Sequence, residues 1–140
     1  MIKTKPTVVD IVTHRVNRSQ FLHIDGRLPS LNEYINAERS SKYAAATMKK
    51  NAENKIAVFI TQNRLKPVTR PVKLFYTWYL RDRRKDLDNI AFAQKFVQDA
   101  LVFTDILPND GQKWVVGFSH DFKIDAHEGV SVELYEQEKT

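Results

Sequence analysis

The chain has no cysteine, only 4 glycines and 5 prolines, and no long apolar run in its 140 residues. Without cysteine there is no disulfide framework, no thiolate zinc site, no iron–sulfur cluster and no cysteine nucleophile. The glycines, at 26, 111, 117 and 129, stand too far apart for a phosphate-cradling loop or a dinucleotide fingerprint, which argues against an ATPase or a nicotinamide enzyme and predicts no nucleotide cofactor. No apolar stretch approaches the ~18 residues of a membrane span. The basic Met1–Pro6 segment leads into an apolar run broken by Asp10, a poor signal peptide, so the expectation is a cytoplasmic protein with no membrane partner. The four histidines, 14, 23, 120 and 127, show no metal-ligand spacing and read as surface or hydrogen-bonded residues.

What is present is an ordinary globular composition, 42% hydrophobic and 28% charged, in a length that suits one domain over residues 1–140. The charge is unevenly distributed. Residues 1–85 carry 18 Lys and Arg against 6 Asp and Glu, and residues 86–140 carry 4 against 11, so a net +12 precedes a net −7. The switch falls at Lys85–Asp86. A basic half of this size points to an anionic partner.

Residues 1–20 are a candidate basic arm or extra strand, with Thr7–Val12 as the candidate strand and Arg15 and Arg18 following. Phe21–Ile24 reads as a short strand closed by the turn pair Asp25-Gly26. Ser30 followed three residues on by Glu33 forms a capping-box signature for a helix that pauses near Arg39–Ser41. The helix resumes with Ala45, Met48, Ala52, Ile56 and Phe59/Ile60 on one stripe. Lys42, Lys49, Lys50 and Lys55 lie mostly off that stripe, as a solvated face or a phosphate track. From Val72 the period changes to two, with Leu74, Tyr76, Trp78 and Leu80 on one face; these aromatics read as core before base-stacking surface. A helix over 88–102 and two strands near 114–118 and 130–135, expected to pair with each other, complete a β-α-β-α-β-β order. The predicted class is α+β, with helices packed on a mixed sheet.

The chemistry is expected in Arg81-Asp82-Arg83-Arg84-Lys85-Asp86-Leu87-Asp88-Asn89, where a basic run meets two carboxylates separated by one residue. Hard divalent cations take oxygen ligands, and Mg²⁺ is commonly held by one or two carboxylates with water and substrate phosphate completing its shell. The competing explanation is that Asp at a helix start caps amides and complements the macrodipole with no metal at all. Asp88, Lys95 and Asp99 are spaced seven and four, one face of a continuous helix, where Lys95 either meets a phosphate or pairs with Asp99. Ile106–Gly111 reads as a turn, and Asp110 joins the chemistry only if the fold returns it to Asp86 and Asp88.

Lys85-Asp86-Leu87-Asp88-Asn89-Ile90, then Lys95, then Asp99-Ala100-Leu101, then Leu107-Pro108-Asn109-Asp110 resembles the RusA family of Holliday-junction resolvases. The earlier Leu28-Pro29-Ser30-Leu31-Asn32-Glu33-Tyr34 resembles that family's N-terminal segment less specifically. The likeness covers about residues 26–135 and is specific over 84–114. It implies a homodimeric Mg²⁺-dependent endonuclease, with Mn²⁺ able to substitute, that nicks four-way branched DNA symmetrically in recombination and repair. Carried over, Asp86, Asp88 and Asp110 are the metal-binding catalytic carboxylates and Lys95 the catalytic lysine. Lys85 and Asn89 support the site, and Arg83 and Arg84 join them on the substrate. Two departures stand out. The lysine lies about one helical turn farther from the two carboxylates than in the best-known member, and Asn109 replaces a second Asp, leaving the metal role there to Asp110.

Two other readings stay open on the residues alone. One is a non-catalytic branched-DNA-binding recombination accessory protein that uses the same basic surface. The other takes Asp86 and Asp88 as the metal site of a nucleotide-sugar transferase, which the short chain without a dinucleotide fingerprint disfavours.

Overall fold

The computed structural model describes residues 19–138; residues 1–18 of the candidate arm or strand, with the arginines at 15 and 18, lie outside the described residues, and its last two, Ser19 and Gln20, open the first strand. Among the described residues four strands and four helices follow in the order β1 (Ser19–Asp25), α1 (Leu31–Ser40), α2 (Lys42–Gln62), β2 (Val72–Leu80), α3 (Leu87–Ala91), α4 (Gln94–Phe103), β3 (Val115–Ile124) and β4 (Gly129–Glu136). The architecture is α+β, a mixed four-stranded sheet with helices packed on it, in strand order β1-β4-β2-β3. No helix among the described residues is long and apolar enough to cross a membrane.

The capping box forms as the sequence predicts. Ser30 Oγ accepts from Glu33 N at 3.3 Å, and Glu33 Oε1 accepts from Ser30 N at 3.0 Å, satisfying two donors at the start of α1. The pause at 39–41 is a single residue. Extended Ser41 closes α1 through its N–H to Ala37 O, and its Oγ accepts from Ala44 N at 2.9 Å to open α2. The apolar stripe of α2 buries Ala45, Ala52, Ile56 and Ile60.

β2 alternates as its period requires, burying Val72, Leu74, Tyr76 and Trp78 while Lys73 and Phe75 face outward. Register extends that inner row across the sheet. Leu22, Val132, Tyr76 and His120 stand side by side, as do Ile24, Val130, Trp78 and Phe122. The aromatics of β2 are core on one face, as their spacing predicts. Gly129 is required where β4 meets β1, because a Cβ there would lie 2.6 Å from the Ile24 carbonyl oxygen.

Two expectations are corrected. The last two strands do not pair with each other: β2 lies between them, antiparallel to β4 and parallel to β3. The α3–α4 connection makes β2 and β3 a crossover pair, which hairpin-based reasoning misses. β3 also runs to Ile124, well past 118. The helix expected over 88–102 is two. Amide bonds of the shorter i to i−3 type, Ala93 to Ile90, Lys95 to Phe92 and Phe96 to Ala93, break it at 92–93. Ala93 and Phe96 are both buried, and Phe92 and Phe96 close on Tyr34 of α1, with centroids 5.5 and 6.0 Å from its ring.

Candidate active site

β2 delivers the charged segment. Its last residue, Leu80, is held to the β3–β4 loop by Asp125 N at 2.7 Å, and the chain then leaves the sheet over Arg81–Asp86. Asp82 shapes this loop by accepting from Arg84 N at 2.9 Å and standing 4.0 Å from its Nε. Arg81 through Asp88 are all exposed. Asp86 occupies the N-cap position of α3 but makes no side-chain cap hydrogen bond. The capping explanation for this aspartate therefore does not describe what its carboxylate does. Asp88 accepts from Asn89 N through Oδ1 at 2.9 Å. Lys85 and Arg84 line a cleft against the end of β2, and Arg83, Lys85 and Asp86 line a second against Phe122 and Ile124.

Asn89 has a partner of its own. Its Oδ1 accepts from Asn32 N at 2.9 Å, satisfying a first-turn donor of α1 and tying α3 to that helix. This bond holds α3, which carries Asp88 and starts at Asp86, against α1.

Lys95 lies on α4 against α2. Its Nζ is 3.6 Å from Asp99 Oδ1, while Lys49 Nζ of α2 is 3.4 Å from Asp99 Oδ2 and 3.9 Å from Glu53 Oε2. The Asp99 and Glu53 side chains are each only 19% exposed, and their Oδ2 and Oε2 atoms are buried without a hydrogen bond of good geometry. Burial raises the Glu53 carboxyl above its ordinary range, and the Asp99 charge adds to the effect. Because α3 and α4 are separate helices, the seven-residue spacing does not set Asp88 on the face of Lys95; the pairing of Lys95 with Asp99 does form.

Asp110 is exposed in the turn after α4, where Asn109 Oδ1 accepts from Gly111 N at 2.9 Å. The turn is anchored by buried Ile106 and Leu107. Among the described residues no three Asp, Glu or His side chains form a group that could hold a metal ion, so Asp86, Asp88 and Asp110 are not gathered into one set here.

Sequence reasoning missed the polar chain beneath the sheet. Trp78 Nε1 donates to His120 Nδ1 at 2.9 Å, and since indole only donates, His120 Nε2 carries the proton toward Gln94 Oε1, also at 2.9 Å. Gln94 Nε2 and Tyr76 Oη both donate to Gln98 Oε1. Burial lowers the His120 pKa and raises that of Tyr76, keeping both neutral. The period-two pattern, continued past 118, would have placed His120 inward between Phe118 and Phe122.

No known family model matches the chain, and no curated protein matches it in sequence. The likeness to the RusA resolvases therefore rests on the residues themselves.

Proposed function

We propose that the chain is a metal-dependent endonuclease of four-way branched DNA, RusA-like in its chemistry and acting as a homodimer in the cytoplasm. The observation that carries this reading is Asp86: a carboxylate placed at an N-cap, unused for capping, exposed beside Asp88 and directly after Arg83, Arg84 and Lys85.

The donor set fits a hard divalent ion. Asp86 and Asp88 offer only oxygens, and Mg²⁺ tolerates a site of one or two carboxylates completed by water and phosphate. Asp110 is assigned the third carboxylate on the resemblance alone. Asp86 and Asp88 would hold the ion, which when bound would supply a nucleophilic water and neutralise charge on the phosphate. The protein's own residues do the rest. Arg83, Arg84 and Lys85 hold the DNA backbone next to the carboxylates, positioning it with little sequence readout. Asn89 keeps the two aspartates in place through Asn32. Lys95, the more exposed of the two lysines on Asp99 at 61% against 44%, can trade that carboxylate for a substrate phosphate while Lys49 stays with Asp99. Two related sites in a homodimer suit symmetric nicking of opposed strands.

Asp88→Asn tests the site. The variant is expected to bind a labelled four-way junction as the wild type does and to nick it at least about 100-fold more slowly in Mg²⁺. Normal cutting by the variant would overturn the assignment. Equal junction binding in EDTA and no cleavage by the wild type at any Mg²⁺ or Mn²⁺ concentration would favour the non-catalytic accessory protein.

A further inference from the structure

The cleft beside the charged loop does not end at that loop. It is about 480 Å³, within the range of small-ligand pockets, and Arg81, Arg84 and Lys85 line it together with the apolar side chains of Trp78 and Val130. Arg27 and Leu28 line both this cleft and a second one, which opens along α2 past Met48 and Lys55 to Tyr43. The two recesses thus flank one loop and share its side chains.

Charge along this path is one-sided. Arg27, Lys55, Arg81, Arg84 and Lys85 line it against Asp82 and Glu128; Arg84 pairs with Asp82 and Arg27 with Glu33, which leaves Lys55, Arg81 and Lys85 against Glu128. Arg27 is held in place. Both of its terminal nitrogens donate to the Glu33 carboxylate, and that guanidinium holds the Glu33 pKa down at about 2. Lys55 reaches the same loop, donating to Arg27 O at 3.4 Å. Gly26, whose φ of +87° favours glycine, leaves open space here: a Cβ would lie 2.8 Å from Lys55 Nζ and make that ammonium shift. At the far end the Tyr43 ring is 74% exposed, with Lys42 Nζ 5.5 Å from its centroid.

We infer that this path binds an unpaired DNA strand leading away from the Asp86–Asp88 site, its phosphates on the Arg81–Lys85 rim, Arg27 and Lys55 and a base stacked on Tyr43. A cationic groove with an exposed aromatic ring is how single strands are held without sequence preference, and duplex DNA keeps its base faces hidden from such a ring. Branches that carry a single-stranded arm, such as a flap or a fork with an unpaired tail, are then bound in addition to the four-way junction. The inference rests on the branched-DNA reading for the identity of the polymer, but its test needs no cleavage.

Fluorescence anisotropy in EDTA with a labelled oligo-dT of about 12 nucleotides, beside a blunt duplex of equal length, decides it. The single strand is expected to bind more tightly than the duplex. Tyr43→Ala is expected to weaken the single strand by about 10-fold and to leave the duplex unchanged, while Tyr43→Trp restores it. Lys55→Gln lowers the salt dependence of single-strand binding by about one phosphate contact. Because Tyr43 is largely exposed, its variants fold. Equal affinity for both DNAs, or an unchanged Tyr43→Ala, overturns the inference whether or not the protein nicks junctions. Single-strand binding that depends on Tyr43, in a protein that never cuts DNA, leaves it standing while the endonuclease reading falls.

Discussion

The Arg81–Asp86 loop and the seam between α2 and α4 are built from the same residue types in opposite states. In the loop every charged side chain is exposed, and the pairing that organises it is the loose Arg84–Asp82 contact at 4.0 Å. At the seam Lys49, Glu53, Lys95 and Asp99 share charge across two helices, with both carboxylates largely covered. Coulombic interactions count for more where water is excluded, and an exposed pair is worth little. The seam sets its covered carboxylates against lysines of both helices, while the loop leaves its charges exposed. A lysine and an aspartate one turn apart can be either; what decides is what packs over them.

The sharpest way to break this contrast is at Asp99. Asp99→Asn removes the charge that two lysines share and is expected to lower stability by about 1 kcal/mol in urea unfolding. The same change relieves Glu53, whose carboxyl should move down toward its ordinary value in an NMR titration, because the Asp99 charge is one of the causes that raise it. If Asp99→Asn leaves both stability and the Glu53 titration untouched, the seam is as loose as the loop. A smaller loss is expected at the hinge between the regions. Asn89→Ala strands the Asn32 amide and should destabilise by somewhat less than about 1 kcal/mol, whereas Asn89→Asp keeps the acceptor and the stability.

The smallest effect concerns pH. Burial holds His120 below its ordinary 6.5, so the folded protein binds fewer protons there than the unfolded chain. The stability it confers is complete above pH 6.5 and declines as pH falls from 6.5 toward the folded value. His120→Gln should remove this component from the acid side of a urea-midpoint profile. Glu53 acts in the opposite sense. Its raised value favours the folded state below pH 4.5, and that contribution fades as pH rises through the folded value.

Local signals were legible wherever one residue's own partners decide the structure. Ser30 and Glu33 are three residues apart and cap each other; Ala45, Ala52 and Ile56 follow a helical period; β2 alternates strictly. The α+β class follows from those elements. What depends on distant packing was not legible. β3 has its neighbour chosen by a helical crossover, and the break at 92–93 accompanies burial of Ala93 and Phe96 beneath a helix some sixty residues earlier. At the candidate site, the exposed basic run and the placement of Asp86 and Asp88 at a strand–helix junction were readable from residue types. The local pairing of Lys95 with Asp99 was readable too, but the engagement of Asp99 by Lys49 of α2, and of Asn89 by Asn32, was not, because each involves a partner more than forty residues away.

In the proposed reading Asp86 and Asp88, following the cationic run Arg83–Lys85, cut branched DNA with a divalent metal. Incubating the purified wild-type protein with an end-labelled four-way junction, in Mg²⁺ and in EDTA, tests it most directly. The account predicts paired nicks at symmetric positions in Mg²⁺ and intact, bound junction in EDTA. Intact junction under both conditions, with binding unchanged, would contradict it.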